Sequence, residues 1–214
     1  ENMSFLEHLE ELRWHIIRSL IAIVSAGFIC FLMKDFIFDT IIFGPKKMDF
    51  PTYKFLCQAA TFIGVETTFC GDEFPFIVQN RTMAGQFSAH VMTSIISGFI
   101  ISFPYILYEF WKFISPGLLE KENAKSRGFI FISSLLFFIG VLFGYYIISP
   151  LSINFLGTYQ VSSQVLNEID LGSFISLVRS SAIASGINFE LPIIIYFLTK
   201  AGVVTPESLV KYRK

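Results

Sequence analysis

Residues 99–127, which read FIISFPYILYEFWKFISPGLLEKENAKSR, indicate where the chain leaves a membrane. The stretch begins in an apolar segment, passes an aromatic zone around Tyr105, Tyr108 and Trp111, and ends in a loop with both charge signs. Tyr and Trp side chains concentrate at the headgroup level of membranes, and Lys and Arg collect on the cytoplasmic side. The sequence therefore predicts that residues 109–127 form a cytoplasmic loop, and that a partner is recognised there.

The composition is that of a membrane protein. Hydrophobic residues make up 53% of the chain and charged residues only 15%, whereas soluble domains carry about 25% charged residues. Residues 1–13 are acidic and do not resemble a cleavable signal peptide. We therefore expect the first span to act as its own insertion signal.

Largely apolar segments predict an all-α, polytopic membrane fold with four transmembrane helices in one domain, residues 1–214. The predicted helices lie at about residues 14–33, 84–108, 128–149 and 171–199. The segments between and around them are 1–13, 34–81, 109–127, 150–170 and 200–214. Pro104 is expected to bend the second helix, and Gly186 and Pro192 are expected to interrupt the fourth.

The distribution of basic residues predicts the orientation. Segment 150–170 has no Lys or Arg, whereas 109–127 and the tail 200–214 have several. The positive-inside rule then places the N-terminus, segment 109–127 and the tail in the cytoplasm. Segment 34–81 also contains basic residues, but long loops follow the rule less strictly.

Two cysteines lie in the long segment that is predicted to be extracytoplasmic. A disulfide between Cys57 and Cys70 is permitted in that compartment, although sequence spacing alone leaves the pairing open. Cys30 lies in an apolar run and is interpreted as a packed small side chain.

The predicted fourth helix carries ionisable residues at membrane depth. Arg179 and Glu190 share a helix face but lie about 16 Å apart at 1.5 Å per residue, so they cannot pair directly. Structural interpretations are that Arg179 extends to the outer interface and that Glu190 makes a buried hydrogen bond. The alternative is a secondary transporter or channel in which both residues line a path along a broken helix.

Other function classes find no support in the sequence. No nucleophile with a base, metal-ligand cluster, phosphate-binding loop or nucleic-acid surface is evident. We therefore expect no enzymatic activity, no cofactor, no metal and no nucleic-acid partner.

Several co-linear segments resemble TatC, the signal-peptide receptor of the twin-arginine protein translocase. They are SFLEHLEELR at 4–13, FGP at 43–45, FPYILYEFWKFISPGLLEKE at 103–122, SSLLFFIGVLFGYYIISPLSINFL at 133–156 and INFELP at 187–192. The resemblance implies a curved, glove-like fold of six transmembrane helices. The chain would then hold the first four helices and stop before two more.

The resemblance also implies a recognition site. Glu11 and Glu122 match two glutamates that receive the paired arginines of a signal peptide, and Phe113 matches an aromatic residue implicated in recognition. A guanidinium group can donate two parallel hydrogen bonds to one carboxylate, which a lysine ammonium cannot reproduce. Structural alternatives remain open: Glu122 could pair with Lys125, Glu11 with His15, and Phe113 could be an interfacial anchor.

Further expectations concern partners and location. Glu190 matches a buried acid that presents a polar spot to the single-span partners TatA and TatB, and Pro45 matches a structural proline. Other partners implied by the family are further TatC copies and the lipid bilayer, with transport driven by the proton motive force. The expected location is an energy-transducing bacterial or organellar inner membrane.

Overall fold

The apolar segments of the chain form long helices. The computed structural model describes residues 5–64, 68–71, 74–114, 126–162, 164–165 and 167–200. Its α-helices are α1 (Phe5–Leu32), α2 (Pro51–Ile63), α3 (Gly85–Ile114), α4 (Ser126–Phe143), α5 (Ser149–Thr158) and α6 (Leu171–Lys200). A π-helical segment, Phe36–Ile42, follows α1. A second one, Gly144–Ile148, joins α4 to α5.

Three stretches within these helices are long and apolar enough to cross a membrane. In the described part of the chain they are Glu10–Leu32, Gly85–Phe113 and Gly128–Thr158. The fold is therefore mostly helical, as the sequence predicts. The count of four spans is not confirmed, and the crossing by α6 stays a prediction.

The helix that begins with α4 does not stop before Pro150, so the predicted loop 150–170 is wrong in its first part. A π-helical segment leads directly into α5, which continues to Thr158. Pro150 stands in the first turn of α5, where a missing N–H and a fixed φ are tolerated. In a sequence, a proline that follows a long apolar run is read as the end of a helix. Here the proline instead begins the next helical segment.

The predicted interruption of the fourth helix is also wrong. Helix α6 is continuous, with Pro192 inside it. A Cβ on Gly186 would lie 2.8 Å from the Phe137 ring and 2.9 Å from Val141, so the glycine lets α4 approach closely rather than breaking the helix. The broken helix required by the transporter alternative is absent from the described residues.

A small parallel sheet corrects the all-α prediction. Strands β1 (Ile77–Gln79) and β2 (Glu168–Asp170) pair in parallel, with Val78 opposite Ile169. An ion pair of 3.0 Å between Arg81 and Glu168 extends the contact. Strands of three residues are too short for a periodic pattern, which is why the sequence did not reveal them.

Small residues bring the helices together in two pairs. A Cβ on Gly98 of α3 would lie 2.5 Å from the backbone nitrogen of Gly27 in α1, and one on Gly140 of α4 would lie 2.8 Å from the Ser185 carbonyl oxygen in α6. Close helix approach of this kind is a main source of packing in membranes. Stacking of the Phe103 and Phe137 rings, with centroids 3.6 Å apart, joins α3 to α4.

One end of the helix bundle is closed by residues 43–64, 68–71 and 74–76, and we call it the capped end. Its centre is Tyr53 of α2, which is fully buried and whose hydroxyl lies 2.9 Å from the carbonyl oxygens of Pro45 and Pro150. Burial raises the pKa of Tyr53, which keeps the proton on the hydroxyl that donates these bonds. The predicted structural proline Pro45 is itself fully buried there.

Aromatic rings and a disulfide complete the capped end. The Tyr53 ring stacks on Phe69 and meets the edge of Phe74. Cys57 of α2 and Cys70 are joined in a disulfide with their Cα atoms 5.1 Å apart. Segment 34–81 therefore contains ordered structure of its own.

Candidate functional site

A buried ion pair joins α1 to α3 at the end of the bundle opposite the cap. His15 and Glu109 are 5% and 3% exposed. Nδ1 of His15 donates a hydrogen bond of 2.5 Å to Oε2 of Glu109. Arg18 places a guanidinium nitrogen 3.9 Å from the same oxygen, and Tyr105 lies one turn before Glu109 on α3. We call these four residues the ionic cluster.

Helix geometry places two predicted site residues beside this cluster. The contacts His15 to Glu109 and Gly27 to Gly98 show that α1 and α3 run antiparallel. Glu11 lies one turn before His15 and Phe113 one turn after Glu109, so both lie beyond the ion pair on the same side. The rings of Phe113 and His15 meet edge to face at 6.2 Å.

Glu11 carries an unsatisfied acceptor. Its Oε2 atom is buried and has no hydrogen-bond partner among the described residues. Leaving a buried acceptor without a donor costs about 1 to 3 kcal/mol, and more for a charged group. Oε2 of Glu11 therefore lacks the donor that would offset its burial.

The imidazole of His15 makes its hydrogen bond to another helix, and a pairing of Glu11 with His15 stays a prediction. Nδ1 of His15 is occupied by Glu109, which comes from another helix and reaches the ring directly. Glu122 and Lys125 lie outside the described residues, as do the tail 201–214 and most of the predicted loop 109–127. The predicted roles of Glu11, Glu122 and Phe113 therefore stay predictions.

Glu109 is a site residue that the sequence reasoning missed. The sequence predicts that Glu109 begins the cytoplasmic loop 109–127, but it lies inside α3, which ends at Ile114, and it is buried. A usable signal was present, because an acid at the end of one span and a histidine near the start of another are candidates for pairing inside a bundle. The two residues are 94 positions apart in the chain, so no local sequence pattern shows that they pair.

Glu190 and Arg179, two ionisable residues of α6, lie in surroundings that differ from each other. Glu190 is 6% exposed, and its Oε2 accepts a hydrogen bond from the hydroxyl of Ser133 in α4. Arg179 lines an apolar cavity of about 580 Å³ between α3, α4 and α6. The two side chains thus have separate environments, as their spacing predicts.

Among the residues that the structure describes, no group of three or more His, Cys, Asp or Glu side chains could hold a metal ion. The site is built from carboxylates, an imidazole, a guanidinium and aromatic rings. These groups bind cationic and apolar ligands by hydrogen bonds and packing.

Comparisons with known proteins agree on one family. The profile described as TatC, Sec-independent protein translocase protein, matches residues 7–214. The Sec-independent protein translocase protein TatC of Blattabacterium sp. subsp. Periplaneta americana is 46% identical over 213 residues, which cover 99% of this chain and 80% of the relative. The protein of the same name from Aquifex aeolicus is 35% identical over 215 residues, which cover 99% of this chain and 79% of the relative.

Solved structures give the same result. A crystal structure described as the twin arginine translocase receptor TatC superimposes with a TM-score of 0.71 at 32% identity, covering 96% of this chain and 80% of that one. A second crystal structure of that receptor, in DDM, gives a TM-score of 0.74 at 33% identity, with 96% and 81% covered.

Proposed function

The chain belongs to the TatC family of Sec-independent protein translocase proteins, and from this premise we propose that it is the receptor for twin-arginine signal peptides of folded precursors. Two similar solved structures carry the name of a twin arginine translocase receptor. Members of the family are named as translocase components, which is a transport role rather than an enzymatic one. In this proposal the ionic cluster and its neighbours form part of the recognition surface.

The observation that carries the proposal is the unsatisfied Oε2 of Glu11. A substrate guanidinium would donate two hydrogen bonds to this carboxylate in a geometry that lysine cannot match. Glu122 would receive the second arginine of the pair. A site built in this way selects for two adjacent arginines.

The ionic cluster has a positioning role in this proposal. Glu109 is already paired with His15 and lies near Arg18, so it does not compete with Glu11 for the substrate. The pair fixes α1 against α3 one turn from Glu11 and Phe113. The cluster therefore orients the recognition residues without contacting the arginines.

Hydrogen bonds to the glutamates contribute too little free energy for tight binding of a signal peptide, so apolar contacts are required as well. A hydrogen bond to a charged group contributes about 1.5 to 3 kcal/mol, and exposed pairs contribute about 1 kcal/mol or less. A micromolar complex needs about 8 kcal/mol. The glutamates thus provide selectivity, while Phe113, which is partly exposed, and the apolar helix faces provide much of the affinity.

The wider assembly follows from the same proposal. The N-terminus and the ionic cluster face the cytoplasm of a bacterial or organellar energy-transducing membrane, and the capped end faces the other side. TatA/TatB-type single-span proteins and further copies of the chain are its partners, with the proton motive force as driving force. Glu190 supplies a polar position for a partner helix.

The test is binding of a twin-arginine precursor to membranes that contain single variants. We expect Glu122→Gln to abolish binding and Glu11→Gln to weaken it strongly, because each loses the charge that attracts a guanidinium. Glu10→Gln is the matched control, since Glu10 is exposed one position away on the same helix. Normal precursor binding by both Glu11→Gln and Glu122→Gln would reject the receptor assignment of these residues.

A further inference from the structure

Helix α2 is apolar on two opposite faces. Tyr53 and Ala60 lie on one face and are buried in the capped end, whereas Phe55, Phe62 and Ile63 are exposed. At 100° per residue, Phe55 and Phe62 point directly away from Tyr53. Phe62 is 94% exposed. A helix that only covers its own protein in water has one apolar face, not two.

Polar residues separate the two faces along one side. Lys54, Gln58 and Thr61 form a strip between the buried and the free face, and all three are exposed. The disulfide at Cys57 holds the buried face in place. The rotation of α2 about its axis is therefore set, and the free face cannot turn inward.

We propose that α2 is an interfacial helix whose free face, Phe55 and Phe62 with exposed Ile63 at its flank, inserts into the lipid leaflet at the capped end. This inference is independent of signal-peptide binding. It assigns a lipid contact to a segment outside the apolar spans Glu10–Leu32, Gly85–Phe113 and Gly128–Thr158.

The position of α2 along the membrane normal supports its insertion into the lipid leaflet. The Thr52 hydroxyl donates a hydrogen bond to the carbonyl oxygen of Tyr146. Tyr146 follows the start of the span at Gly128 by 18 positions, or about 27 Å at 1.5 Å per residue, and the hydrocarbon core is about 30 Å thick. The first turn of α2 therefore lies at the boundary between the hydrocarbon and the headgroups.

The direction of the free face agrees with that height. The buried face of α2 contacts Phe69 and Phe74, and Phe74 packs on Phe76, which abuts Gly157 of α5. Helix α5 continues past the boundary and is the core of the capped end. The free face looks away from that core, toward the medium around the protein.

The neighbouring surface favours lipid as the occupant. Tyr146 and Ile147, next to the attachment point of Thr52, are exposed on an apolar span. The free face continues this lipid-facing surface with phenyl rings that carry no polar group. Lys54 at its edge has a stem long enough to bring its ammonium to a lipid phosphate.

Tryptophan fluorescence tests this proposal in the whole protein in vesicles. The chain has only two tryptophans, so Trp14→Phe with Trp111→Phe gives a background to which Phe62→Trp is added. The matched control is Thr61→Trp, on the adjacent polar strip. Vesicles contain phospholipids brominated near the headgroup end or near the methyl end of the acyl chain.

We expect Phe62→Trp to emit at shorter wavelength than Thr61→Trp, to lose more fluorescence to the shallow bromines than to the deep ones, and to resist aqueous iodide. Thr61→Trp should be quenched by iodide. Quenching of Phe62→Trp by iodide and not by either brominated lipid would overturn the proposal. Protection from both quenchers would also overturn it, because a protein, such as a second copy of this chain, would then cover the face.

Discussion

The two ends of the helix bundle are held together by different forces. At the capped end, the hydroxyl of fully buried Tyr53 bonds α2 to Pro150 of α5, and a ring stack and a disulfide join α2 to Phe69 and Cys70. At the other end, α1 and α3 meet through the ion pair of His15 and Glu109. The contacts named at the capped end are packing, hydrogen bonds and a covalent bond, whereas the ionic cluster stands beside the buried Glu11 oxygen that has no partner among the described residues.

Under the proposed function, the two ends then have different roles, one in folding stability and the other in signal-peptide recognition. Buried ion pairs recover little more than their desolvation cost, so they are weak stabilisers compared with apolar packing of similar volume. Their value lies in fixing geometry, and removal of one partner leaves an uncompensated charge. We therefore expect the capped end to contribute most to folding stability and the ionic cluster to contribute most to the placement of Glu11 and Phe113.

Tyr53→Ala should have the largest effect on stability. It removes a fully buried ring and the two hydrogen bonds to Pro45 and Pro150, which predicts a loss of about 3 to 5 kcal/mol in the free energy of unfolding. Denaturation of purified protein in detergent measures this loss. The control is Phe62→Ala, whose ring is exposed. Equal losses for the two variants would contradict the assignment of stability to the capped end.

Glu109→Ala should have an intermediate effect on stability and a larger one on recognition. It leaves buried His15 without its partner, at a cost of about 1.5 to 3 kcal/mol for a hydrogen bond to a charged group. Glu109→Gln keeps an acceptor and should recover part of the loss.

A double-mutant cycle with His15→Ala isolates the pair. We expect the two single losses to be non-additive, because both variants remove the same contact. Additive losses, or precursor binding that is unchanged in Glu109→Ala, would show that the ion pair does not position the site.

Ser133→Ala should have the smallest effect. It removes the hydrogen bond to Glu190, and hydrogen bonds between membrane helices contribute about 0.6 kcal/mol on average and at most about 1.7 kcal/mol. The matched control is Ser134→Ala, because the Ser134 hydroxyl is buried and has no partner among the described residues. A shift in unfolding that is no larger than that of the control would show that the bond between Ser133 and Glu190 does not hold α4 to α6.

Local patterns in the sequence predicted the helical membrane class and, through co-linear segments, the family. Apolar runs such as Gly85–Phe113 are visible because every residue in them contributes to the same signal. The same patterns misjudged Pro150 and Pro192, because a proline can stand in a first helical turn or cost one hydrogen bond inside a helix that packing stabilises.

Contacts between distant segments could not be predicted in this way. The pair of His15 with Glu109 and the pairing of β1 with β2 each join segments about 90 residues apart and depend on how the helices pack. Glu11 could be proposed from the family resemblance, but its unsatisfied oxygen becomes visible only in three dimensions. The sequence thus identified candidate residues, and the fold supplied their partners.

Site-specific photocrosslinking from position 113 tests the central claim most directly. A photoreactive residue that replaces Phe113 lies one turn from the ionic cluster, so it should crosslink to a precursor with an Arg-Arg signal and much less to the same precursor with Lys-Lys. The account predicts that Glu11→Gln removes the Arg-Arg crosslink and that Glu10→Gln leaves it intact. Equal crosslinking to the Arg-Arg and Lys-Lys precursors, unaffected by Glu11→Gln, would contradict it.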